Sequence, residues 1–152
     1  MDQKPRLYIA YGSNMNIDQM ARRCPTAKVV GSGILENWKL RFKGTDCFSV
    51  ATVEPSDGDT VPVLVWKIMP KDEASLDVYE GYPRLYRKEK MFVRIGKELR
   101  LAMIYIMNAD DYAYGNPSEA YYDTILTGYI DAGFSPDLLE QSVISNMRKE
   151  NI

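Results

Sequence analysis

The order of apolar and polar positions divides the chain into clear pieces. An apolar and aromatic run from Leu7 to Tyr11 stops at Gly12 and gives way to the small polar residues Ser13, Asn14 and Asn16. Ile17, Met20, Ala21 and Cys24 then recur at helical spacing. The predicted order is strand, glycine turn, helix, with Asn16 as N-cap and Gln19 completing a loose capping box. The helix ends near Arg23, because Cys24 precedes Pro25 and is pushed out of the helical region. Lys28 to Leu35 reads as a strand kinked or bulged at Gly31 and Gly33. In Asn37 to Phe42 the residues Trp38, Leu40 and Phe42 share one face, with Trp38 a core anchor and Lys39 and Arg41 opposite. Phe48 to Val53 is a short strand, and Glu54 to Thr60 a polar turn cluster. The turn leads into Val61 to Met69, apolar enough to be covered on both faces, with Pro62 at its start.

Pro70 to Gly81 has the marks of a short helix. Asp72, Glu73 and Asp77 place negative charge toward its start, where they read as solvated, and Gly81 is a natural residue just past its end. Leu76 and Glu80 lie one turn apart on one face, so a Leu76 turned to the core draws Glu80 inward. Partial burial and the helix dipole both raise the pKa of a carboxylate at that end. Two readings of Glu80 stay open on this ground: a surface or capping residue, and a general acid/base. Tyr86, after Pro83-Arg84-Leu85, is either a half-buried strand tyrosine or part of the same pocket. Arg87 to Arg94 and Leu99 to Met107 form a hairpin across Gly96-Lys97. Asn108 to Ser118 is a long loop and a candidate lid. Tyr122, Ile125, Leu126 and Tyr129 mark one helix; Ser135 and Pro136 start another, which runs through Leu139, Val143 and Met147.

A length of 152 residues fits one domain spanning 1–152. Hydrophobic residues make up 45% and charged residues 26%, as in an ordinary globular protein, and a net charge of −2 recommends neither nucleic acid nor an anionic membrane as partner. No run approaches a membrane span, and Met1 to Arg6 lacks the apolar core of a signal peptide, so the expected location is cytoplasmic. Cys24 and Cys47 stand outside any motif and read as free thiols. Gly31-Ser32-Gly33 is no dinucleotide fingerprint, because Glu36 stands where the third glycine belongs and a strand follows. The strongest bound is the absence of histidine: it removes the Ser-His-Asp triad, the Cys-His pair and the usual zinc sites. Proton transfer in an enzyme of this composition falls to carboxylate, lysine, tyrosine or the substrate itself.

The Gly12 turn is either an ordinary strand-to-helix connection or a place where several backbone N–H groups converge on an anion or polarised carbonyl. Gly12 is then required for a positive φ or a close approach. Tyr8-Ile9-Ala10-Tyr11-Gly12-Ser13-Asn14 resembles the Y-x-x-Y-G-S-N loop of the γ-glutamylcyclotransferase-like (AIG2-like) family. Gly33, Leu35, Trp38, Leu40 and Phe42 are placed as in that family, as are Leu76-Asp77-x-x-Glu80-Gly81 and Tyr86. Tyr122, or otherwise Tyr121, resembles the family's tyrosine at the start of the penultimate helix. The resemblance covers nearly the whole chain.

It implies an α+β fold, a mixed sheet curled into a partly closed barrel with helices packed around it. It also implies cleavage of a γ-glutamyl amide by cyclisation, releasing 5-oxoproline and a free amine or amino acid. Glu80 is then the general acid/base. Tyr8, Tyr11, Gly12, Ser13 and Asn14 bind the glutamyl group, and Tyr86 and Tyr122 line the pocket. No metal and no cofactor is implied, because the nucleophile is the substrate's own nitrogen. Ser13 has no visible base partner and reads as a binding residue rather than a nucleophile. The leaving-group side of the pocket is expected from Asn108 to Ser118. The implied partner is a small γ-glutamyl substrate, with the chain a monomer or homodimer. The alternative reading is a non-catalytic γ-glutamyl-binding or scaffold member of the same fold.

Overall fold

The protein was analysed as a computed structural model that describes residues 4–45, 48–108 and 112–150, with backbone alone at Thr45, Phe48 and residues 148–150. Cys47 and the segment 109–111 of the expected lid lie outside the described residues. The elements are β1 (Arg6–Ala10), a 3-10 turn (Ser13–Met15), α1 (Ile17–Arg23), β2 (Lys28–Thr45), β3 (Phe48–Ile68), α2 (Pro70–Glu80), β4 (Tyr86–Ile95), β5 (Glu98–Met107), β6 (Ala113–Tyr114), α3 (Glu119–Asp131) and α4 (Pro136–Glu150). The sheet runs β3-β1-β5-β4-β2-β6, and a further β3–β2 pairing joins its ends, so five strands close into a barrel and β6 extends it beside β2. The sheet is mixed: β1 lies antiparallel to β3 (Arg6↔Ile68 to Ala10↔Leu64) and parallel to β5 at Tyr8↔Met103. This is the α+β architecture of a mixed sheet curled into a barrel with packed helices that the family resemblance implies, here with the barrel closed by the β2–β3 pairing.

The central position of β1 follows from its composition. Ile9 and Ala10 are fully buried between two neighbours, and the strand delivers the Gly12 turn to one end of the barrel. Asn16 caps α1 as expected, its side chain accepting the Gln19 N–H at 3.0 Å. The N-terminus of α4 at Pro136 and the β4–β5 hairpin across Gly96-Lys97 also fall where the pattern places them. No helix among the described residues is long and apolar enough to cross a membrane.

Three expectations are corrected. Lys28 to Leu35 and Asn37 to Phe42 are one 18-residue strand, and Phe48 to Val53 with Val61 to Met69 are one 21-residue strand ending at Ile68. The polar cluster between them is a bulge and not a turn. Pairing steps from Glu36↔Thr60 to Trp38↔Pro55, leaving residues 56–59 looped out against the single residue Asn37. Asn37 and Gly58 both take positive φ, and the Gly58 N–H donates to Asn37 Oδ1 at 3.0 Å. Small polar residues satisfy a wide bulge as readily as a reverse turn, so composition alone does not tell them apart. Trp38, beside this bulge, packs half-buried against the core, as an anchor of that face does. Asp72 is buried and not solvated: its Oδ2 accepts the Met69 N–H at 2.9 Å and the Thr26 hydroxyl at 2.6 Å, closing the start of α2.

Beyond the bulge the β2–β3 ribbon bends over the end of the barrel and is fastened there by Asn146 of α4. The Asn146 side chain, 1% exposed, accepts the Phe42 N–H at 3.0 Å and donates to Phe42 O at 3.2 Å and Gly115 O at 2.9 Å. One amide thus completes the ladder of β2 just past its pairing with β6. Asn146→Leu leaves the Phe42 N–H unpaired and takes a donor from Gly115 O and from Phe42 O, the latter keeping the Gly115 N–H at 3.1 Å. The expected cost is about 1–3 kcal/mol, read as a lower urea midpoint with an unchanged slope.

Candidate active site

The Gly12 turn, the end of α2 and the bent β2–β3 ribbon meet at a cavity of about 150 Å³. Tyr8, Tyr11, Gly12, Ser13 and Asn14 form one side of it, and Tyr79 and Glu80 another. Val50, Ala51, Leu85, Tyr86, Tyr105 and Tyr121 complete the wall. The turn brings the loop residues close. Gly12 has φ −126°, so its role is close approach and not positive φ. A Cβ there meets the Ala51 Cβ at 3.1 Å and the Tyr121 hydroxyl at 3.4 Å. Met15 N–H and Asn16 N–H fold back onto Gly12 O and Ser13 O at 3.0 Å each. The N–H groups of Ser13 and Asn14 precede these bonds and have no partner inside the turn. Gly128 of α3 lets the helix seat directly on this loop, since a Cβ at that position meets the Met15 backbone at 2.8 Å.

Glu80 is the last residue of α2, and Gly81 beyond it closes the helix in the left-handed region at φ 64°. Leu76 is fully buried and brings Glu80 in on the same face, as the spacing requires. The Glu80 carboxylate accepts a long bond from Asn14 Nδ2 at 3.4 Å, and the same Nδ2 donates to the Tyr8 hydroxyl at 2.9 Å. Loss of water pushes the Glu80 pKa up to about 7, against a smaller opposing pull from the Arg23 charge. Glu80 therefore exchanges a proton near neutrality.

The tyrosines fix the wall. Tyr11 donates to Tyr105 O at 2.6 Å, Tyr86 donates to Ala51 O at 2.5 Å, and the Tyr121 hydroxyl accepts the Ala51 N–H at 3.0 Å. Ser13 and Tyr79 share a hydroxyl–hydroxyl bond at 3.0 Å. Burial drives the pKa values of Tyr8, Tyr11, Tyr86 and Tyr121 upward, so these rings stay neutral beside the carboxylate. Tyr105 reaches the other way, donating to Asp77 Oδ1 at 2.6 Å; Lys88 pairs with Asp77 at 2.8 Å and with Glu73 at 2.7 Å. That network holds the last turns of α2 against β4 and β5.

The structure thus gathers Tyr8, Tyr11, Gly12, Ser13, Asn14, Glu80 and Tyr86 at one cavity. Tyr122 is corrected to its alternative: one residue is a rotation of about 100° on a helix, which turns Tyr121 into the cavity and leaves Tyr122 half-buried outside it. The described part of Asn108 to Ser118 does not line the cavity; Ala113 and Tyr114 pair instead with Gly44 and Lys43 at the edge of β2. Tyr79, Tyr105 and Ala51 escape sequence reasoning. Tyr79 neighbours Glu80 at the helix end, which is a usable signal; Tyr105 sits in an apolar strand and Ala51 acts through its backbone, so neither leaves one. No group of three or more His, Cys, Asp or Glu side chains gathers at metal-binding separation among the described residues.

The sequence model of the family described as gamma-glutamyl cyclotransferase, AIG2-like, matches residues 8–124. A gamma-glutamylcyclotransferase of Bos taurus is 31% identical over 147 residues, covering 87% of this chain and 74% of the relative. One from Homo sapiens is 28% identical over 150 residues, covering 92% and 78%. A solved structure of a gamma-glutamyl cyclotransferase superposes with a TM-score of 0.82 at 27% identity, covering 91% of this chain and 86% of that one.

The elevated Glu80 pKa has a stability consequence. The folded group holds its proton up to about 7 while the unfolded one releases it near 4.5. The folded state therefore binds more protons between those values, and stability falls as pH rises through that window. Glu80→Gln removes this penalty. Thermal melts are expected to show the variant more stable than wild type at pH 8, with the advantage fading by pH 4; a constant difference across that range contradicts the assignment.

Proposed function

The chain belongs to the gamma-glutamyl cyclotransferase, AIG2-like, family, and on that premise we propose that it cleaves a γ-glutamyl amide by cyclising it to 5-oxoproline with release of a free amine or amino acid. The observation that carries the reading is the Glu80 carboxylate, half-buried in the cavity with its pKa pushed up to about 7, within reach of the Asn14 amide at the mouth of the Gly12 turn.

Each step falls to a group already in place. Glu80 in its ionised form takes a proton from the substrate α-ammonium. The freed nitrogen lone pair attacks the γ-carbonyl carbon, a C–N bond forms and the carbonyl oxygen takes the negative charge. The N–H groups of Ser13 and Asn14, without a partner inside the turn, are donors open to that oxygen. The oxyanion collapses, the bond to the leaving nitrogen breaks and Glu80 returns its proton to that nitrogen; the ring nitrogen gives up its second proton to the departing amine, which leaves as an ammonium. A pKa near the working pH suits one group to both transfers. Holding the substrate amine against its own carbonyl supplies on the order of 7–11 kcal/mol, which is how a site without histidine or a nucleophilic side chain sustains the reaction. The neutral tyrosines hold the cavity open to a small, polar glutamyl group while shielding Glu80 from water.

Two measurements test this. 5-Oxoproline release from a panel of γ-glutamyl dipeptides and γ-glutamyl amines is expected in wild type and reduced at least about a hundredfold in Glu80→Gln; equal turnover in both removes Glu80 from the mechanism. Gly12→Val forces a branched side chain against Ala51 and Tyr121 and is expected to raise KM about tenfold or more, on the order of 1.4 kcal/mol of lost binding. Unchanged KM separates the loop from substrate binding.

A further inference from the structure

Arg23 does not line the cavity, yet it is bonded to a residue that does. Its Nη1 donates to Asn14 Oδ1, its Nη2 donates to Gln19 Oε1 at 2.6 Å, and its guanidinium carbon lies 3.5 Å from the centre of the Tyr79 ring. One side chain of α1 therefore touches the Gly12 turn through Asn14 and the end of α2 through Tyr79, the neighbour of Glu80. We infer that Arg23 is a positioning residue of this site, which fixes the Asn14 amide so that its NH2 group faces Tyr8 and Glu80.

A guanidinium has only donors, so it accepts the oxygen of a carboxamide as partner and never its nitrogen. With Asn14 Oδ1 turned to Arg23, the Nδ2 group must point the other way, toward the Tyr8 hydroxyl at 2.9 Å and Glu80 Oε1 at 3.4 Å. The reverse amide orientation sets donor against donor at Arg23 and lone pair against carboxylate at Glu80. The Asn14 main chain is held as well, its carbonyl accepting Trp66 Nε1 at 3.0 Å, so the side chain turns on a fixed base. Gln19 and the Tyr79 ring hold the guanidinium in plane, and the stacked, two-armed geometry is one that lysine does not reproduce. A cation on the amide oxygen also strengthens the N–H on the opposite side, so the positive charge reaches Glu80 through Asn14 without an ion pair.

The groups that face Glu80 are Arg23 from α1, Tyr8 from β1, Tyr11 from the turn after it, Tyr79 from α2, Tyr86 from β4 and Tyr121 from α3. Arg23 is the cation among them. An arginine in direct contact with Glu80 holds the carboxylate ionised; placed one residue away, it leaves the group basic enough to carry a proton. This deepens the proposed cyclotransferase reading and rests on it for the catalytic consequence, while the effect on Glu80 itself is independent of any substrate.

The test uses Arg23→Met and Arg23→Lys in the full chain. Carbon-13 NMR of the Glu80 carboxyl in the unliganded protein is expected to show its midpoint rising by about half a unit to one unit in Arg23→Met, as loss of a nearby opposite charge requires, and staying close to wild type in Arg23→Lys. With a γ-glutamyl substrate, Arg23→Met is expected to lower kcat about 10–100-fold, the scale of a misplaced catalytic group, with the acid limb of the pH profile moving upward alongside the NMR midpoint. Arg23→Lys is expected to restore the pH limb and only part of kcat. An unmoved Glu80 midpoint in folded Arg23→Met overturns the inference. Where Arg23→Met does not fold, a wild-type kcat in Arg23→Lys overturns it, and a reduced kcat with an unmoved pH limb supports it. Absence of 5-oxoproline release from wild type rejects the cyclotransferase reading alone, and the NMR titration still decides the role of Arg23.

Discussion

A carboxylate at the C-terminal end of a helix, drawn half out of water and without a cation in contact, is an unfavourable arrangement, and much of the structure serves to hold Glu80 in it. Both the helix dipole and desolvation disfavour its charge. Leu76, fully buried one turn earlier, fixes the inward face of α2. Asp77, through Tyr105 and Lys88, secures the same turn to β4 and β5. Asp72, buried at the other end, closes the helix start. The cost of placing Glu80 is thus offset by contacts on either side of it, and the result is a group poised near neutrality where a protein without histidine has few other choices.

The barrel supplies the second surface that Glu80 needs. Its central strand β1 ends at Gly12, and the absence of a side chain there brings the turn against Ala51 and Tyr121. Ala51 contributes its backbone: the carbonyl accepts from Tyr86 and the N–H donates to Tyr121. These bonds join β4, the bent ribbon and α3 in one wall. Asn146 performs the equivalent service from α4 by completing the ladder at Phe42. Each tyrosine hydroxyl drawn into the wall has a named partner, which is the condition for burying it at modest cost.

Much of this was legible before any coordinates. Glycine followed by small polar residues marked the turn, because few other residue types allow so close a backbone approach. The Leu76 to Glu80 spacing marked the face of α2, because helical geometry sets which residues travel together. Where the reading failed, local chemistry was ambiguous. The polar stretch 54–60 has the composition of a turn and also of a wide bulge, and only pairing across β2 and β3 distinguishes them. Tyr121 and Tyr122 are adjacent and identical, so the choice between them depends on how α3 is rotated against Met15 at Gly128. Arg23 reads as an ordinary helix-ending residue until Asn14 and Tyr79 are brought to it.

The sequence by itself determined which chemistry was open. Absence of histidine, an isolated glutamate ahead of a helix-terminating glycine, and a glycine turn at the end of an apolar strand are local facts, governed by residue type and short-range geometry. The tertiary structure decided which groups meet. Tyr8, Arg23, Ala51, Tyr105 and Tyr121 come from five elements, and what joins them (the Ala51–Tyr121 hydrogen bond, the Tyr8–Tyr105 ring contact and the Asn14 amide between Tyr8 and Arg23) exists only once the β2–β3 ribbon has closed the barrel. The shifted pKa of Glu80 belongs to the same category, because water is excluded by residues far from it in the chain.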